Sequence, residues 1–213
     1  MKLLIVFLFI ISHGIYAKGR IYSLGAGLWN PSTQNLGFNG KKTFSDFSES
    51  RFARLSHEGL ISNKLLYVAS IGLNISNTKT QFSYDGDTTK TELADIDAQI
   101  SMLELRVGMK YNLGQNFYFG GGILLGDFQI SFDRSDYVEA TGNTDLENFT
   151  KSENQNYLGH YGEAGLMFAS KNFGTRLGTE FNSATVQKGL DTLGEKQPTL
   201  ISSKLYIEIL WKN

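Results

Sequence analysis

No cysteine occurs in the 213 residues, which excludes disulfides, thiolate nucleophiles, thiolate metal sites and an N-terminal lipidated cysteine. Stability must then come from packing and hydrogen bonds alone. Neither sign of charge dominates. Twenty Lys and Arg stand against 21 Asp and Glu, a formal net charge of -1, so no basic footprint for nucleic acid exists. Histidine is scarce, with only His57 and His160 beyond the N-terminal segment, and neither sits at metal-ligand spacing from other donors. No glycine motif of the phosphate-cradling kind occurs, since Gly120, Gly121 and Gly122 fall inside a predicted strand. No metal and no cofactor are expected. Proline is limited to two residues. The long apolar run, residues 3–11, is too short for a helical span of roughly 20 residues.

That run does fit a secretory signal peptide. Lys2 precedes it, and Ser12, His13 and Gly14 follow. The expected division is a signal peptide over 1–17 and one β-barrel domain over 18–213, with cleavage after Gly14 as the alternative.

What the chain has in quantity is glycine (23), Phe (15) and Tyr (10), a mix that suits pleated strands and tight turns. Beyond Lys18 the dominant rhythm has period two. In 201–211, Ile201, Ser203, Leu205, Ile207, Ile209 and Trp211 share one face, and Ser202, Lys204, Tyr206 and Glu208 the other. Segments 101–111, 157–169 and 173–183 alternate in the same way. Four further strands are predicted over 20–29, 51–61, 65–76 and 117–132, the last with Gly120 to Gly122 blurring its phase and a bulge there left open. Short connections at 62–64, 112–116 and 170–172 alternate with long polar ones at 30–50, 77–95, 133–156 and 184–198. The fold class is therefore all-β: an eight-stranded antiparallel up-and-down transmembrane barrel with short periplasmic turns and long extracellular loops.

A soluble ligand-binding barrel would alternate too, with its apolar face inward. Here the polar face is rich in small residues (Ser23, Gly25, Gly27, Ser70, Gly72, Gly108, Gly165, Gly178), which suits a crowded interior. An aromatic girdle is predicted near the short turns from Tyr22, Tyr67, Tyr111, Phe117, Phe168, Phe173 and Trp211. The polar face also carries balanced charge. Glu104, Glu163, Glu180 and Glu208 stand against Arg106, Lys110, Arg176 and Lys204, with Arg54 and Glu58 joining if 51–61 is phased alike. An eight-stranded barrel is only wide enough for side chains to fill, so these groups are expected to form an ionic plug.

The stretch 103–113 (LELRVGMKYNL) followed by 116–122 (NFYFGGG) resembles a central hairpin of the small outer-membrane β-barrel superfamily, the OmpA, OmpX and OmpW types. GLMF at 165–168 with FGTRLG at 173–178 resembles the hairpin after it. The resemblance implies a monomer in the outer membrane, in contact with its lipid including lipopolysaccharide and assembled by the outer-membrane insertion machinery. Such chains commonly end on an aromatic residue, whereas here Trp211 is followed by Lys212 and Asn213. It also implies a structural or surface-interaction role, with a narrow channel for small or hydrophobic solutes as the alternative and a soluble periplasmic barrel behind it. Barrel deacylases use a histidine with a serine two residues on. His160 has Gly162 there, and Ser56 and Glu58 point away from His57, so no catalytic residue is assigned.

Acidic loop clusters (Asp85, Asp87, Glu92, Asp95 and Asp97, then Asp133, Asp136, Glu139, Asp145, Glu147 and Glu153) read as solvated surface, without the spacing of a calcium loop.

Overall fold

The computed structural model describes residues 19–34, 42–84, 91–92, 96–132, 153–187 and 199–212. The segment expected to be a signal peptide and most of the acidic residues expected in loops lie outside the described residues. Among these residues nine strands occur in the order β1 (Arg20–Gln34), β2 (Lys42–Leu60), β3 (Leu65–Tyr84), β4 (Thr91–Glu92), β5 (Ile96–Leu113), β6 (Phe117–Phe132), β7 (Glu153–Ala169), β8 (Phe173–Gln187) and β9 (Thr199–Lys212). β4 is a two-residue bridge against the end of β3. The other eight form one antiparallel sheet that closes on itself, because β1 pairs with both β2 and β9 and β2 pairs on with β3. Closure leaves no long strand with an open edge, which a chain in lipid requires of its backbone.

The expected class, an all-β eight-stranded up-and-down barrel, is the observed one. The strands are longer than the sequence predicts. β1, β3 and β8 run on to Gln34, Tyr84 and Gln187, while β2, β5 and β7 begin at Lys42, Ile96 and Glu153. All but that of β5 enter a segment expected to be loop, and β5 starts directly after one. β5 gives the physical reason. In its lower half Leu103, Leu105, Val107 and Met109 face out and Glu104, Arg106 and Lys110 face in. In its upper half the same parity continues, but Asp97 and Gln99 face out while Ala98, Ile100 and Met102 are buried inside. β6 repeats this above Leu124, with Asp127 exposed and Phe128 buried. The sense of the alternation inverts along one strand, so a rule that puts the apolar face outward loses it.

The inversion divides the wall into two zones. Below it the outer surface is a continuous apolar band, including Leu24, Leu28, Leu55, Leu73, Leu103, Ile123, Leu177, Leu205, Ile207 and Ile209. In water such a surface would be an aggregation liability; against hydrocarbon it is the required one. On β5 the band covers the span 103–111, matching the 9–11 residues of a tilted transmembrane strand. Above it β5 and β6 are polar outside and apolar inside, as in a barrel standing in water, whereas the adjoining part of β3 keeps Asn74, Ser76 and Thr78 inside.

The second difference concerns 117–132. No bulge interrupts it: β6 keeps unbroken register with β5 from Ala98↔Phe132 to Leu113↔Phe117, and with β7 from Phe117↔Leu166 to Ile130↔Glu153. The irregularity in the barrel lies instead on β2, between Ser45 and Arg51. The tight connections are 61–64, 114–116 and 170–172, the middle one turning through Gly114 at φ +73°.

Candidate functional site

The barrel interior is built in three layers. Ile21, Leu66 and Leu210 close the end with the short turns, and Met167 packs against them. At the other end Trp29, Phe52, Ile100, Met102, Leu124, Phe128, Tyr157 and Leu200 form a larger apolar layer. Ten charged side chains fill the space between, all buried: Arg54, Glu58, Glu104, Arg106, Lys110, Glu163, Arg176, Glu180, Lys204 and Glu208. Five are cations and five are carboxylates, so the layer is formally neutral.

The charges are linked into one network. Six of them close a ring of alternating sign: Arg54 to Glu163 (3.8 Å), Glu163 to Lys110 (3.2 Å), Lys110 to Glu58 (2.9 Å), Glu58 to Arg176 (2.5 Å), Arg176 to Glu208 (3.5 Å) and Glu208 to Arg54 (2.5 Å). Glu180 hangs from this ring by accepting from Arg54 Nη1 at 2.6 Å, and it also accepts from Arg106. Lys204 bridges Glu180 (3.4 Å) and Glu104 (2.5 Å). The Arg176 guanidinium grips Glu58 with both terminal nitrogens, at 2.5 and 2.7 Å. Planar bidentate geometry of this kind is what arginine supplies and lysine does not.

Aromatic rings insulate the network and extend it. The Tyr206 hydroxyl donates to Glu163 Oε2 at 2.6 Å, and Tyr118 lies 2.8 Å from the Tyr206 oxygen. Since Tyr206 has spent its one proton on Glu163, Tyr118 is the donor in that second bond. The Arg54 guanidinium lies 4.5 Å from the centroid of the Tyr206 ring, and Arg106 lies 4.8 Å from that of Tyr161. Two glycines make room. A Cβ on Gly178 would stand 2.3 Å from the Tyr118 hydroxyl and 2.7 Å from the Tyr206 ring, and one on Gly165, its register partner, 2.6 Å from the same Tyr118 hydroxyl.

All eight interior charges expected from the sequence, Glu104, Arg106, Lys110, Glu163, Arg176, Glu180, Lys204 and Glu208, thus lie in this layer, and Arg54 and Glu58 complete it. Arg54 is the hub, with three carboxylate partners. Sequence reasoning missed the inward Tyr118 and the two apolar layers. The signal for Tyr118 was the pair Gly165 and Gly178, which leaves a gap on the inner face that only a neighbouring ring can fill.

The aromatic girdle residues all lie at the short-turn end, but they are not one contact chain. Tyr22 stacks on Trp211 (centroids 6.2 Å apart, planes at 17°), and Tyr111 packs on Phe119 at 5.3 Å. His57 joins Tyr22 at 5.0 Å and Tyr67 at 5.6 Å. Phe117, Phe168 and Phe173 are exposed on the outer wall without a ring partner among the described residues. His160 is exposed on the outer face of β7, in register with Ser183 of β8. No hydrogen bond joins the two, and no acidic side chain touches His160 among the described residues, so the pair lacks the orientation that nucleophile activation needs. Among the described residues no group of His, Asp and Glu could hold a metal ion.

No protein-family model matches the chain, and no curated protein sequence does. Among solved structures it is similar to OprG of Pseudomonas aeruginosa, at 13% identity with 92% of this chain and 96% of that one covered and a TM-score of 0.49. It is similar to Ail, the attachment invasion locus protein of Yersinia pestis, at 13% identity with 90% and 99% covered and a TM-score of 0.48. It is also similar to Neisserial surface protein A, at 11% identity with 91% and 96% covered and a TM-score of 0.46.

Proposed function

We propose that the protein is a non-enzymatic, monomeric barrel of the bacterial outer membrane, exported by its N-terminal segment, with a structural or surface-interaction role. The observation that carries this reading is the inversion of wall polarity along β5 and β6. An apolar outer band with a charged, filled interior suits lipid, and the polar upper wall suits strands that stand clear of the bilayer and hold their loops away from it. Eight residues separate Gln99 from Val107 on β5, so at about 2.5 Å of height per tilted residue the upper wall rises well beyond the hydrocarbon. On this reading the rim formed by those strand ends meets lipopolysaccharide or another surface, and assembly proceeds through the outer-membrane insertion machinery.

The alternative, a narrow channel for small or hydrophobic solutes, needs a path through two apolar layers and a neutral ionic one. Opening it would separate buried ion pairs. The purified protein in a planar bilayer is therefore expected to show no steady unit conductance. Large, stable single-channel currents would replace the plugged-barrel reading with the channel.

A further inference from the structure

The rim bearing the short turns is charged with one sign. Lys64, Lys171 and Lys212 are exposed there, and Arg20 is half-buried beside them. Among the described residues no Asp or Glu faces outward on this rim, because the nearby Glu58, Glu163 and Glu208 are buried inside. The opposite end is mixed, with Arg51 and Lys79 alongside Asp97 and Asp127.

Part of this rim is organised. Arg20, Gly59 and Tyr67 occupy one register row across β1, β2 and β3. A Cβ on Gly59 would stand 2.1 Å from the Tyr67 ring, so that ring lies across β2 toward Arg20. The Tyr67 hydroxyl is 3.4 Å from His57 Nδ1. One row higher, Trp211, Tyr22 and His57 adjoin in register on β9, β1 and β2. Lys212 follows Trp211, its ammonium donating to the Ser170 carbonyl at 3.3 Å. That points Lys212 toward the turn between β7 and β8, so Arg20 and the polar tips of Tyr67 and His57 border the aromatic shelf at the height where the apolar band ends.

We propose that this face, centred on Arg20, His57 and Tyr67, binds the headgroup of an anionic phospholipid in the leaflet that meets the short turns. The proposal rests on the membrane placement above. The phosphodiester meets Arg20 and the phenol and imidazole tips, while the acyl chains lie on Tyr22 and Trp211. A Lys or Arg near an anionic surface favours it by about fivefold.

The two tryptophans make this testable. Trp211 lies at the outer rim, whereas Trp29 is 2% exposed inside the barrel, so lipid-borne quenchers reach the former. The full chain is folded into vesicles of phosphatidylcholine with brominated acyl chains, without lipopolysaccharide. Unbrominated phosphatidylglycerol or unbrominated phosphatidylcholine is then titrated in. Phosphatidylglycerol is expected to relieve quenching with about fivefold greater affinity in the wild type, and in Arg20→Lys. The preference should vanish in Arg20→Gln, whose folding is checked by heat-modifiable migration. Equal relief by both lipids in the wild type, or a preference that survives in the glutamine variant, would overturn the site. Absence of quenching by any brominated lipid would instead overturn the membrane placement, and the site with it.

Discussion

Arg54→Met is expected to lower the unfolding free energy by about 3–5 kcal/mol, the cost of removing one partner from a buried ionic group. Arg54 bonds Glu180 at 2.6 Å and Glu208 at 2.5 Å and lies 3.8 Å from Glu163. Removing it leaves the layer with one excess negative charge, in a space where water cannot replace the guanidinium. The methionine chain fills much of the same volume, so a lost-charge effect is read with little added cavity. Arg54→Lys keeps the charge but not the fork geometry, and should fall between wild type and Arg54→Met. The double variant Arg54→Met/Glu208→Gln restores neutrality and should recover part of the loss. Urea unfolding in lipid vesicles, followed by fluorescence, measures all three. A wild-type midpoint for Arg54→Met would mean that the ionic layer does not hold the barrel.

Ile207→Arg tests the opposite face. Ile207 is half-exposed on the outer wall, in register with Ala26 and Leu177, in the middle of the apolar band. Against hydrocarbon an arginine there costs about 2–4 kcal/mol, falling toward 0–1 near the interfaces. The same substitution at Gln99, on the polar upper wall, should change stability little. In a water-soluble barrel Ile207→Arg would instead be harmless and would improve solubility. The pair of variants therefore maps the height of the bilayer along the wall, and equal effects at both positions would contradict the assignment of the two zones.

The strands that were legible in the sequence are those whose alternation is clean, such as β9, where Leu205, Ile207 and Ile209 contrast with Lys204, Tyr206 and Glu208. β2 was harder because its charges do not keep to one side. Arg51 is exposed on the outer wall, whereas the neighbouring Phe52 is buried inside with Arg54. The phase of 51–61, and with it the hub of the ionic layer, was conditional for that reason. In β6 the glycines carried no polarity at all, and only pairing with β5 and β7 fixes that they stay in register. The upper parts of β1, β2, β3, β7 and β8 were read as loops because one solvent was assumed along the whole wall. Lipid and water impose opposite patterns on the same pleat, so Asp97 and Gln99 outside with Ile100 inside are as regular as Leu103 outside with Glu104 inside.

The interior charges were legible by parity alone. Their connectivity was not, since Arg54 and Glu208 are 154 residues apart in sequence and meet only when β1 closes the sheet between β2 and β9.

The central claim is a closed barrel embedded in the outer membrane, and the measurement that tests it most directly is gel migration with and without boiling, on protein taken from fractionated outer membranes. Closed barrels resist detergent until heated, because no frayed edge is available for unfolding to start from. A band in the outer-membrane fraction that shifts on boiling is the predicted result. Recovery in the soluble periplasmic fraction, with no such shift, would contradict the account.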